Sequence, residues 1–376
     1  MPAGPAWVDA LRRIWDTDDA VCPIDPTAPA AHRRMLAEAL KPTAIIEADG
    51  ERRALADGQR TDVGDALVMA TSGTSGTPKG VVLTKNALSA SASLTSDAVS
   101  IDARSMWVSC LPVHHIGGFG VVSRAVLTDT AVDVHEYFDV DLIRAALDGG
   151  ATHISLVPAM CAFVEPVARR LDVSDLVRFD RVLLGGSTIP SERPSNCIAT
   201  YGMTETAGGI AYDGVPLRGV EFRTDETGQL LVRSPTLFRR LRSASAAPDH
   251  DGWWATGDLG RVDTEGRVAV DGRADDVIIT GGEKVWPASV EAVLTGLVGI
   301  EDVAIVGRPD DRWGRVVTAL VVPTPVGRSA TTDELLGLIR KAVKAVLPAY
   351  CAPHAVEYVV EIPRTSIGKI RRSELT

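Results

Sequence analysis

The stretch of this sequence that decides its fold is ATSGTSGTPKGVVLT, residues 70–84. Five hydroxyl side chains precede Val81, and glycines, one proline and Lys79 stand among them. Glycine lets a backbone approach a ligand closely, turn N–H groups can form an anion-binding nest, and hydroxyls and a lysine add donors and charge. The stretch therefore predicts a phosphate-binding loop, and a flexible surface turn is the alternative.

The loop does not match the Walker pattern G-x-x-x-x-G-K-[ST], in which a strand leads through the loop into a helix. Pro78 precedes Lys79 where the pattern has glycine, and Gly80 follows where the pattern has a magnesium-binding hydroxyl. The continuation VVLT is mostly β-branched and indicates a strand. The sequence thus predicts a phosphate loop of another kind, which lies between two strands.

Short apolar runs that end in turn residues predict further buried strands along the chain. They are ALVMAT (66–71), MWVSCLPV (106–113), THISLVP (152–158) and RVLLGGS (181–187). Helical stretches such as 85–100 alternate with them, which predicts an α/β fold with its binding residues in the loops at strand ends.

After Trp253 the sequence changes to short β runs between Gly- and Asp-rich turns, as in hairpins. Two helical stretches follow, 287–297 and 332–347. We therefore expect a large α/β domain over 1–272 and a small α+β domain over 273–376.

The composition is that of a soluble globular protein and disfavours several partners. The chain has 376 residues, is 45% hydrophobic and 23% charged, and carries a formal net charge of −10. This balance argues against nucleic acid or an anionic membrane as the main partner, and no run reaches the ~18 apolar residues of a membrane span. The five cysteines form no CxxC pair and the N-terminus lacks a signal-peptide core, so we expect a cytoplasmic protein without disulfides or zinc.

Four further motifs follow the loop in order, and together they resemble the adenylate-forming superfamily of acyl-CoA synthetases, adenylation domains and luciferases. They are YGMTET (201–206), WATGDLG (254–260), DGRADDVIITGGEKVWP (271–287) and PRTSIGKIRR (363–372). The resemblance implies that a carboxylate attacks the α-phosphate of Mg²⁺-bound ATP, giving an acyl-adenylate and pyrophosphate. A thiol, usually that of CoA, then displaces AMP, and a small C-terminal domain rotates between the two steps.

The resemblance implies an ATP site that draws on most of these motifs. The phosphate loop would hold the β- and γ-phosphates, and Tyr201 would lie against the adenine. Asp258 would accept hydrogen bonds from both ribose hydroxyls, with Arg273 beside it; without the other motifs, this pair would be a hairpin aspartate and a surface arginine. The residues implied are Thr71, Ser72, Gly73, Thr74, Ser75, Gly76, Thr77, Lys79, Gly185, Gly186, Tyr201, Asp258 and Arg273.

Four residues are implied to take part in catalysis. Glu205 would bind Mg²⁺, a hard cation that prefers oxygen ligands, and Thr204 would contact the α-phosphate. Lys369 would reach the α-phosphate and the substrate carboxylate during adenylation, and an exposed tail lysine is the alternative. His115, in LPVHHIGGFG (111–120), matches the gating position of the superfamily's acyl pocket, where a buried core histidine is the alternative.

The second step is assigned by the same resemblance to the motif over 271–287. Asp275 occupies the hinge position, and hinges are a few loop residues that absorb backbone change. Gly281, Gly282 and Lys284 would form the loop that lines the route of the CoA thiol. A carrier protein is the alternative acceptor.

Arg124 bears most directly on the identity of the acid. It follows His115 in the apolar stretch GGFGVVSRAVL (117–127). A buried arginine needs an anionic partner or several hydrogen bonds, and a second carboxylate on the substrate would supply both. A partly exposed helix arginine is the alternative. Ser187 and Gly208 are implied as further substrate contacts.

The early position of the phosphate loop and the layout of YGMTETAGGIAYDGVPLRGVEF (201–222) are similar to the o-succinylbenzoate–CoA ligases of the actinobacterial type. That resemblance implies an aromatic keto-dicarboxylic acid whose second carboxylate faces Arg124, and a product that feeds menaquinone synthesis. The short N-terminal region leaves a sheet edge to be covered, and a homodimer would cover it. A ligase for another aryl or short acyl acid, a carrier-loading enzyme and a non-catalytic nucleotide-binding protein stay open as alternatives.

Overall fold

The structure, a computed structural model, describes residues 1–47, 50–71, 78–163, 169–242, 246–364, 368 and 370–375. The chain forms two compact units. The first comprises Met1–Phe222, Leu231–Trp254 and Thr264–Val268, and the second comprises Arg223–Leu230, Ala255–Asp263 and Ala269–Thr376. These bounds describe how the chain packs, and the assignment of functions to 1–272 and 273–376 stays a prediction.

The first unit is a mixed α/β structure, which confirms the predicted class. Its helices are α1 (Pro5–Asp16), α2 (Ala30–Leu40), α3 (Lys85–Val99), α4 (Ile116–Thr128), α5 (Val140–Asp148) and α6 (Val173–Leu176). Its strands up to residue 216 are β1 (Ala44–Ile46), β2 (Arg52–Ala54), β3 (Asp65–Thr71), β4 (Lys79–Thr84), β5 (Met106–Ser109), β6 (Ala131–Val134), β7 (His153–Leu156), β8 (Cys161–Ala162), β9 (Leu171–Asp172), β10 (Arg181–Leu184), β11 (Cys197–Met203), β12 (Gly208–Tyr212) and β13 (Val215–Pro216).

A seven-stranded sheet, in the order β13–β12–β11–β10–β7–β5–β6, organises this unit. Five neighbouring strands run parallel to one another: β11, β10, β7, β5 and β6. Strand β12 pairs antiparallel with both β11 and β13. Parallel strands covered by helices are rich in buried apolar residues, which is why the predicted runs at 106–113, 152–158 and 181–187 contain the strands β5, β7 and β10. Their carboxyl ends meet at one edge, so the loops after them collect there.

A smaller sheet in the order β16–β4–β3, with β16 at Arg240–Leu241, carries the phosphate loop. Strands β3 and β4 are antiparallel and pair Thr71 with Lys79. The outer edge of β3 is paired in part by the chain itself, because Val21 donates to Ala66 O and accepts from Val68 N at 3.0 and 2.8 Å. This edge therefore does not need a homodimer at that point.

Helix α1 covers part of the core with tryptophans. Trp7 and Trp15 meet the ring of Phe119 edge-on, with centroids 6.1 and 6.2 Å away, and Trp15 Nε1 donates to Ala66 O at 2.9 Å. Such aromatic pairs add about 0.5–1.5 kcal/mol beyond the burial of their area. The N-terminal helix thus packs against α4, the helix that also carries Arg124.

A four-stranded sheet has the order β14–β15–β17–β18. The second unit contains its residues 223–230, 255–263 and 269–273. The full strands are β14 (Glu221–Thr224), β15 (Gln229–Arg233), β17 (Trp254–Val262) and β18 (Val268–Arg273). The remaining elements are β19 (Ile278–Thr280), β20 (Glu283–Val285), α7 (Pro287–Leu294), β21 (Ile300–Asp310), β22 (Gly314–Pro323), α8 (Pro325–Ser329), α9 (Thr332–Val346) and β23 (Ala355–Tyr358).

The C-terminal part of this unit is α+β, as predicted. Strands β21 and β22 pair antiparallel, and β23 pairs parallel with β22. Helix α9 begins at a capping box, in which Thr331 and Glu334 exchange side-chain and backbone hydrogen bonds. Its apolar face, with Leu335, Ile339 and Val343, packs with α7 into one hydrophobic core over the sheet.

Candidate active site

The base of the phosphate loop is a β-hairpin. Thr71 Oγ1 donates to Lys79 O at 3.4 Å across the β3–β4 pair, and Pro78 is buried. Strand β4 follows the loop directly, so the prediction of a loop between two strands is confirmed and the Walker topology is excluded. The loop residues Ser72, Gly73, Thr74, Ser75, Gly76 and Thr77 lie outside the described residues.

The loop after β10 lies at the carboxyl edge of the parallel strands, as predicted. Gly186 and Ser187 are exposed there, and Gly186 has a φ of +85°, which favours glycine. A Cβ at Gly185 would lie 2.7 Å from the Thr200 hydroxyl of the neighbouring strand β11. Gly185 therefore lies close against β11, and the backbone of the next two residues is exposed where a ligand could approach it.

The YGMTET motif forms the end of β11 and the turn after it. Thr204 and Glu205 lie in a 3₁₀ turn, and Thr206 closes this turn by donating to Gly208 O at 2.7 Å. Met203 N donates in turn to Thr206 Oγ1 at 3.0 Å. The Glu205 backbone is also held, since its carbonyl accepts from Phe238 N at 2.8 Å. Local hydrogen bonds thus fix the turn that carries Thr204 and Glu205.

Gly202 in this motif is required by a close approach of two strands. A Cβ at Gly202 would lie 2.0 Å from Gly208 O, where the β11–β12 register shifts at Tyr201. The Tyr201 ring lies against Phe222 at a centroid distance of 6.0 Å. Gly208, a predicted substrate contact, has a φ of +113° at the start of β12.

In the second unit, the structure brings Asp258 and Arg273 together, as their predicted shared role requires. Arg273 Nη1 lies 3.3 Å from Asp258 Oδ1 and donates to Thr256 O at 3.0 Å. Asp258 is buried, and its backbone N–H donates to Thr256 Oγ1 at 3.0 Å. The carboxylate is therefore held in a defined orientation, which suits it to accept hydrogen bonds from a diol.

His115 is the residue that precedes α4, and its neighbour His114 was not singled out by sequence. The two rings lie 4.6 Å apart between centroids, with their planes tilted by 52°. His114 Nε2 lies 3.9 Å from Asp25 Oδ2, a partner that comes from the loop before α2. Burial lowers the pKa of His114, and the charge of Asp25 only partly opposes this.

We expect the free energy of unfolding to fall as the pH drops below about 6.5, the ordinary histidine pKa. The unfolded chain takes up protons there, whereas folded His114 and His153, whose pKa values burial lowers, take them up only at lower pH. Each group contributes at most about 1.4 kcal/mol per pH unit. Urea unfolding at pH 7.5 and 5.5 measures this slope.

His114→Gln should flatten that slope. An equal slope in the wild-type protein and the His114 variant would show that His114 does not titrate differently on unfolding.

Arg124 lies in the middle of α4 and is only 8% exposed. This rejects the alternative of a partly exposed helix arginine. Its guanidinium stacks over the Trp107 ring at 4.5 Å from the centroid. Within the described part of the chain, its Nε and Nη1 atoms have no hydrogen-bond partner. Burial lowers the pKa of Arg124 because the charged form loses its water.

Other unpaired polar groups lie on the same side of β5. Trp107 and Ser109 alternate with apolar residues along this strand, and both are buried. Trp107 Nε1 and Ser109 Oγ also have no hydrogen-bond partner among the residues that the structure describes. An unpaired buried donor costs about 1–3 kcal/mol. A set of such groups around a buried cation indicates a place for an anionic ligand.

Tyr212 and Thr95 extend this polar region. Their hydroxyls lie 3.0 Å apart and are buried. Burial raises the pKa of Tyr212, and the nearby charge of Arg124 opposes the rise. No local sequence signal points to Trp107, Tyr212 or Thr95, because α3, α4, β5 and β12 bring them together only in the folded chain.

The predicted hinge and thiol loop form two turns of the second unit. Asp275 is exposed in a 3₁₀ turn, Ala274–Asp276. Gly281 and Gly282 form the two-residue turn between β19 and β20, with φ of +56° and +87°. Such hairpin turns need positive φ at both positions. Lys284 is exposed on β20, and Lys369 lies outside the described residues.

Three other features of the described residues bear on the chemistry of the chain. Burial raises the pKa of Cys110 and Cys161 to about 12, so these thiols stay protonated and are poor nucleophiles. Over the same residues, His, Cys, Asp and Glu side chains form no group of three that could hold a metal ion. No helix in the described ranges is long and apolar enough to cross a membrane.

Two family models match the chain. Residues 57–242 match the AMP-binding enzymes, and residues 289–369 match the AMP-binding enzyme C-terminal domain. The "Probable 2-succinylbenzoate--CoA ligase" of Mycobacterium tuberculosis (strain CDC 1551 / Oshkosh) is 35% identical over 100% of this chain and 96% of that protein. The indoleacetate–CoA ligase of Aromatoleum aromaticum is 34% identical over 82% of this chain and 66% of that protein.

A solved structure is also similar. The o-succinylbenzoate coenzyme A synthetase of Bacillus subtilis, in complex with ATP and a magnesium ion, has a TM-score of 0.71 and 27% sequence identity, covering 85% of this chain and 73% of that one. The complex of the same enzyme with the acyl-adenylate intermediate OSB-AMP has a TM-score of 0.72 at 27% identity, covering 85% and 72%.

Proposed function

The chain belongs to the AMP-binding enzymes and is an AMP-forming acid–CoA ligase, and from this premise we propose that its acid is o-succinylbenzoate. This acid carries two carboxylates. One is activated as the adenylate, and the other pairs with Arg124. The full-length similarity to a ligase named for this acid, also called 2-succinylbenzoate, supports the proposal.

The observation that carries the proposal is the state of the Arg124 guanidinium. A buried cation with two unpaired nitrogens is costly unless a ligand supplies the missing acceptor. A carboxylate matches the planar guanidinium and can accept two hydrogen bonds from it. The Trp107 ring lies under the guanidinium and adds a cation–π contact.

The residue types present suit the binding of ATP and Mg²⁺, which adenylation needs. The loop over 71–79 holds the β- and γ-phosphates that leave as pyrophosphate, and Asp258 with Arg273 holds the ribose. Glu205 supplies a carboxylate oxygen to Mg²⁺, which prefers a few carboxylates together with phosphate oxygens. Mg²⁺ held there would neutralise phosphate charge, and Lys369 would offset charge as the substrate carboxylate approaches the α-phosphate.

In the second step the thiol of CoA attacks the acyl carbon of the adenylate. The thiol loses its proton to water as the C–S bond forms, the bond from the acyl carbon to the AMP oxygen breaks, and AMP leaves with that oxygen. The Gly281–Gly282 turn and Lys284 line the route of the thiol, and Asp275 is the hinge of the small domain over 273–376. The enzyme acts in the cytoplasm, and its product feeds menaquinone synthesis.

Product mass across a panel of acids tests the choice of acid. With ATP, Mg²⁺ and CoA, o-succinylbenzoate should give the highest kcat/KM and its CoA thioester as product. Indoleacetate, benzoate and a short fatty acid each have one carboxylate and should be poorer. If one of them exceeds o-succinylbenzoate, the proposed acid is wrong although the ligase chemistry stands.

The acceptor is tested in the same assay. AMP release without a CoA thioester would point to another acceptor, such as a carrier protein. ATP binding without AMP formation for any acid would point instead to a non-catalytic protein.

A further inference from the structure

Arg364, five residues before Lys369, forms a clamp between β21 and Gly368. This side chain forms a bidentate ion pair with Asp302 on β21, at 3.1 and 2.6 Å. Its third nitrogen, Nη1, donates to Gly368 O at 2.7 Å, and residues 364 and 370 form an isolated antiparallel bridge. Both chain neighbours of Lys369 are thus held by one arginine and one backbone bridge.

On the C-terminal side of Lys369, Arg372 forms a second clamp. It makes a bidentate ion pair with Glu291 on α7, at 2.9 and 2.8 Å, and also donates to Ile305 O at 3.0 Å. Glu291 is held in turn, because its Oε1 accepts from Ile305 N at 2.7 Å. Both side chains are largely buried, with 21% and 13% of their surface exposed. Bidentate pairs of this kind fix geometry as well as charge.

The second clamp also reaches the predicted hinge. Arg372 Nε lies 3.3 Å from Asp276 Oδ2, and Asp276 follows Asp275 in the same 3₁₀ turn. Arg372, three residues after Lys369 in sequence, therefore joins the predicted hinge turn to helix α7. Motif resemblance assigns no role to Arg364, Arg372, Glu291 or Asp276.

We propose that Arg364 and Arg372 are positioning residues for Lys369 in adenylation, and that the contact of Arg372 with Asp276 couples the lysine segment to the hinge. This rests on the proposed role of Lys369. A lysine is a mobile point charge with about 2 kcal/mol of rotamer entropy, so it acts at a defined place only if its backbone is held. A hinge that moves Asp276 changes the support of Arg372 and, with it, that of the lysine segment.

The two half-reactions separate this positioning role from a general structural one. Adenylation is measured as acid-dependent pyrophosphate release, and thioester formation is measured from supplied acyl-adenylate and CoA. Arg372→Met and Arg364→Met should lower the adenylation kcat about 10–100-fold, with the KM for ATP and the thioester step within about twofold of wild type. Asp276→Asn, which leaves the Glu291 pair intact, should lower adenylation alone by about tenfold.

Rescue and control variants complete the test. The exchange Arg364→Asp with Asp302→Arg restores an ion pair and should recover adenylation relative to Arg364→Met. Arg144→Met removes the bidentate pair with Asp175 in the first unit and should leave the ratio of the two half-reaction rates unchanged. If both half-reactions fall together with the unfolding midpoint, or if neither falls, the positioning role is wrong.

Lys369→Ala separates this inference from the proposed function. Loss of adenylation in Lys369→Ala with full activity in the arginine variants overturns the inference alone. Full adenylation in Lys369→Ala overturns the proposed role of the lysine itself.

Discussion

Replacement of Lys369 by alanine is expected to lower the rate of acyl-adenylate formation about 10²–10³-fold, the usual effect of removing one aimed electrostatic donor. Two anions, the carboxylate and the α-phosphate, approach each other in this step, and the lysine offsets their repulsion. Conversion of supplied acyl-adenylate and CoA to thioester and AMP should stay near the wild-type rate, because no second anion attacks phosphorus there. Rapid-quench measurement of the two half-reactions checks this.

The matched control is Lys341→Ala, at an exposed lysine on α9 of the same unit. It removes the same charge from the chain and should change neither half-reaction. Equal losses in both half-reactions for Lys369→Ala would show that the lysine supports the fold or binds AMP in both steps.

Replacement of Arg124 by methionine is expected to lower kcat/KM for o-succinylbenzoate about 10²–10³-fold, because a buried charge pair with the substrate is lost. The rate with benzoate, which has no second carboxylate, should change little, so selectivity between the two acids collapses. The unfolding midpoint without substrate should not fall, since methionine removes two unpaired buried nitrogens and keeps an apolar side chain of similar length. Steady-state kinetics with both acids and thermal unfolding measure these effects.

Arg218→Met is the control for this substitution. Arg218 is an exposed arginine of the same unit, paired with Asp97 at 3.0 Å. It should leave selectivity unchanged. If Arg124→Met instead lowers the unfolding midpoint by many degrees and the rates with both acids equally, the guanidinium is a structural cation and not a carboxylate site.

Much of the first unit follows from local sequence. The run over 66–71 and the helix over 85–100 became β3 and α3 within a few residues, because burial periodicity and end signals are local properties. Thr84 caps α3 by accepting from Ala87 N, as a threonine before a helix should. The β-branched continuation VVLT also predicted the strand that follows the loop, which is β4.

Other features of the site could not be predicted, because they depend on distant pairings. Arg124 could be buried or exposed on an amphipathic helix, and only the packing of α4 on β5 placed it over Trp107. Asp25, which lies beside His114, comes from a loop that no motif marks. The role of a buried polar group depends on the residues that can hydrogen-bond to it. Here those residues lie far away in sequence.

The sequence by itself therefore determined the class of chemistry, because its five ordered motifs resemble the family whose models the chain matches. It also determined where many strands and helices lie, because the spacing of apolar residues that predicts them is a property of neighbouring residues. Only the tertiary structure decided that Arg124 is buried with two nitrogens that find no partner among the described residues, and that Arg372 joins Glu291 to Asp276. The fold decides which charged residues pair, because it brings together residues that lie far apart in sequence. Their separation along the chain does not determine their distance in space.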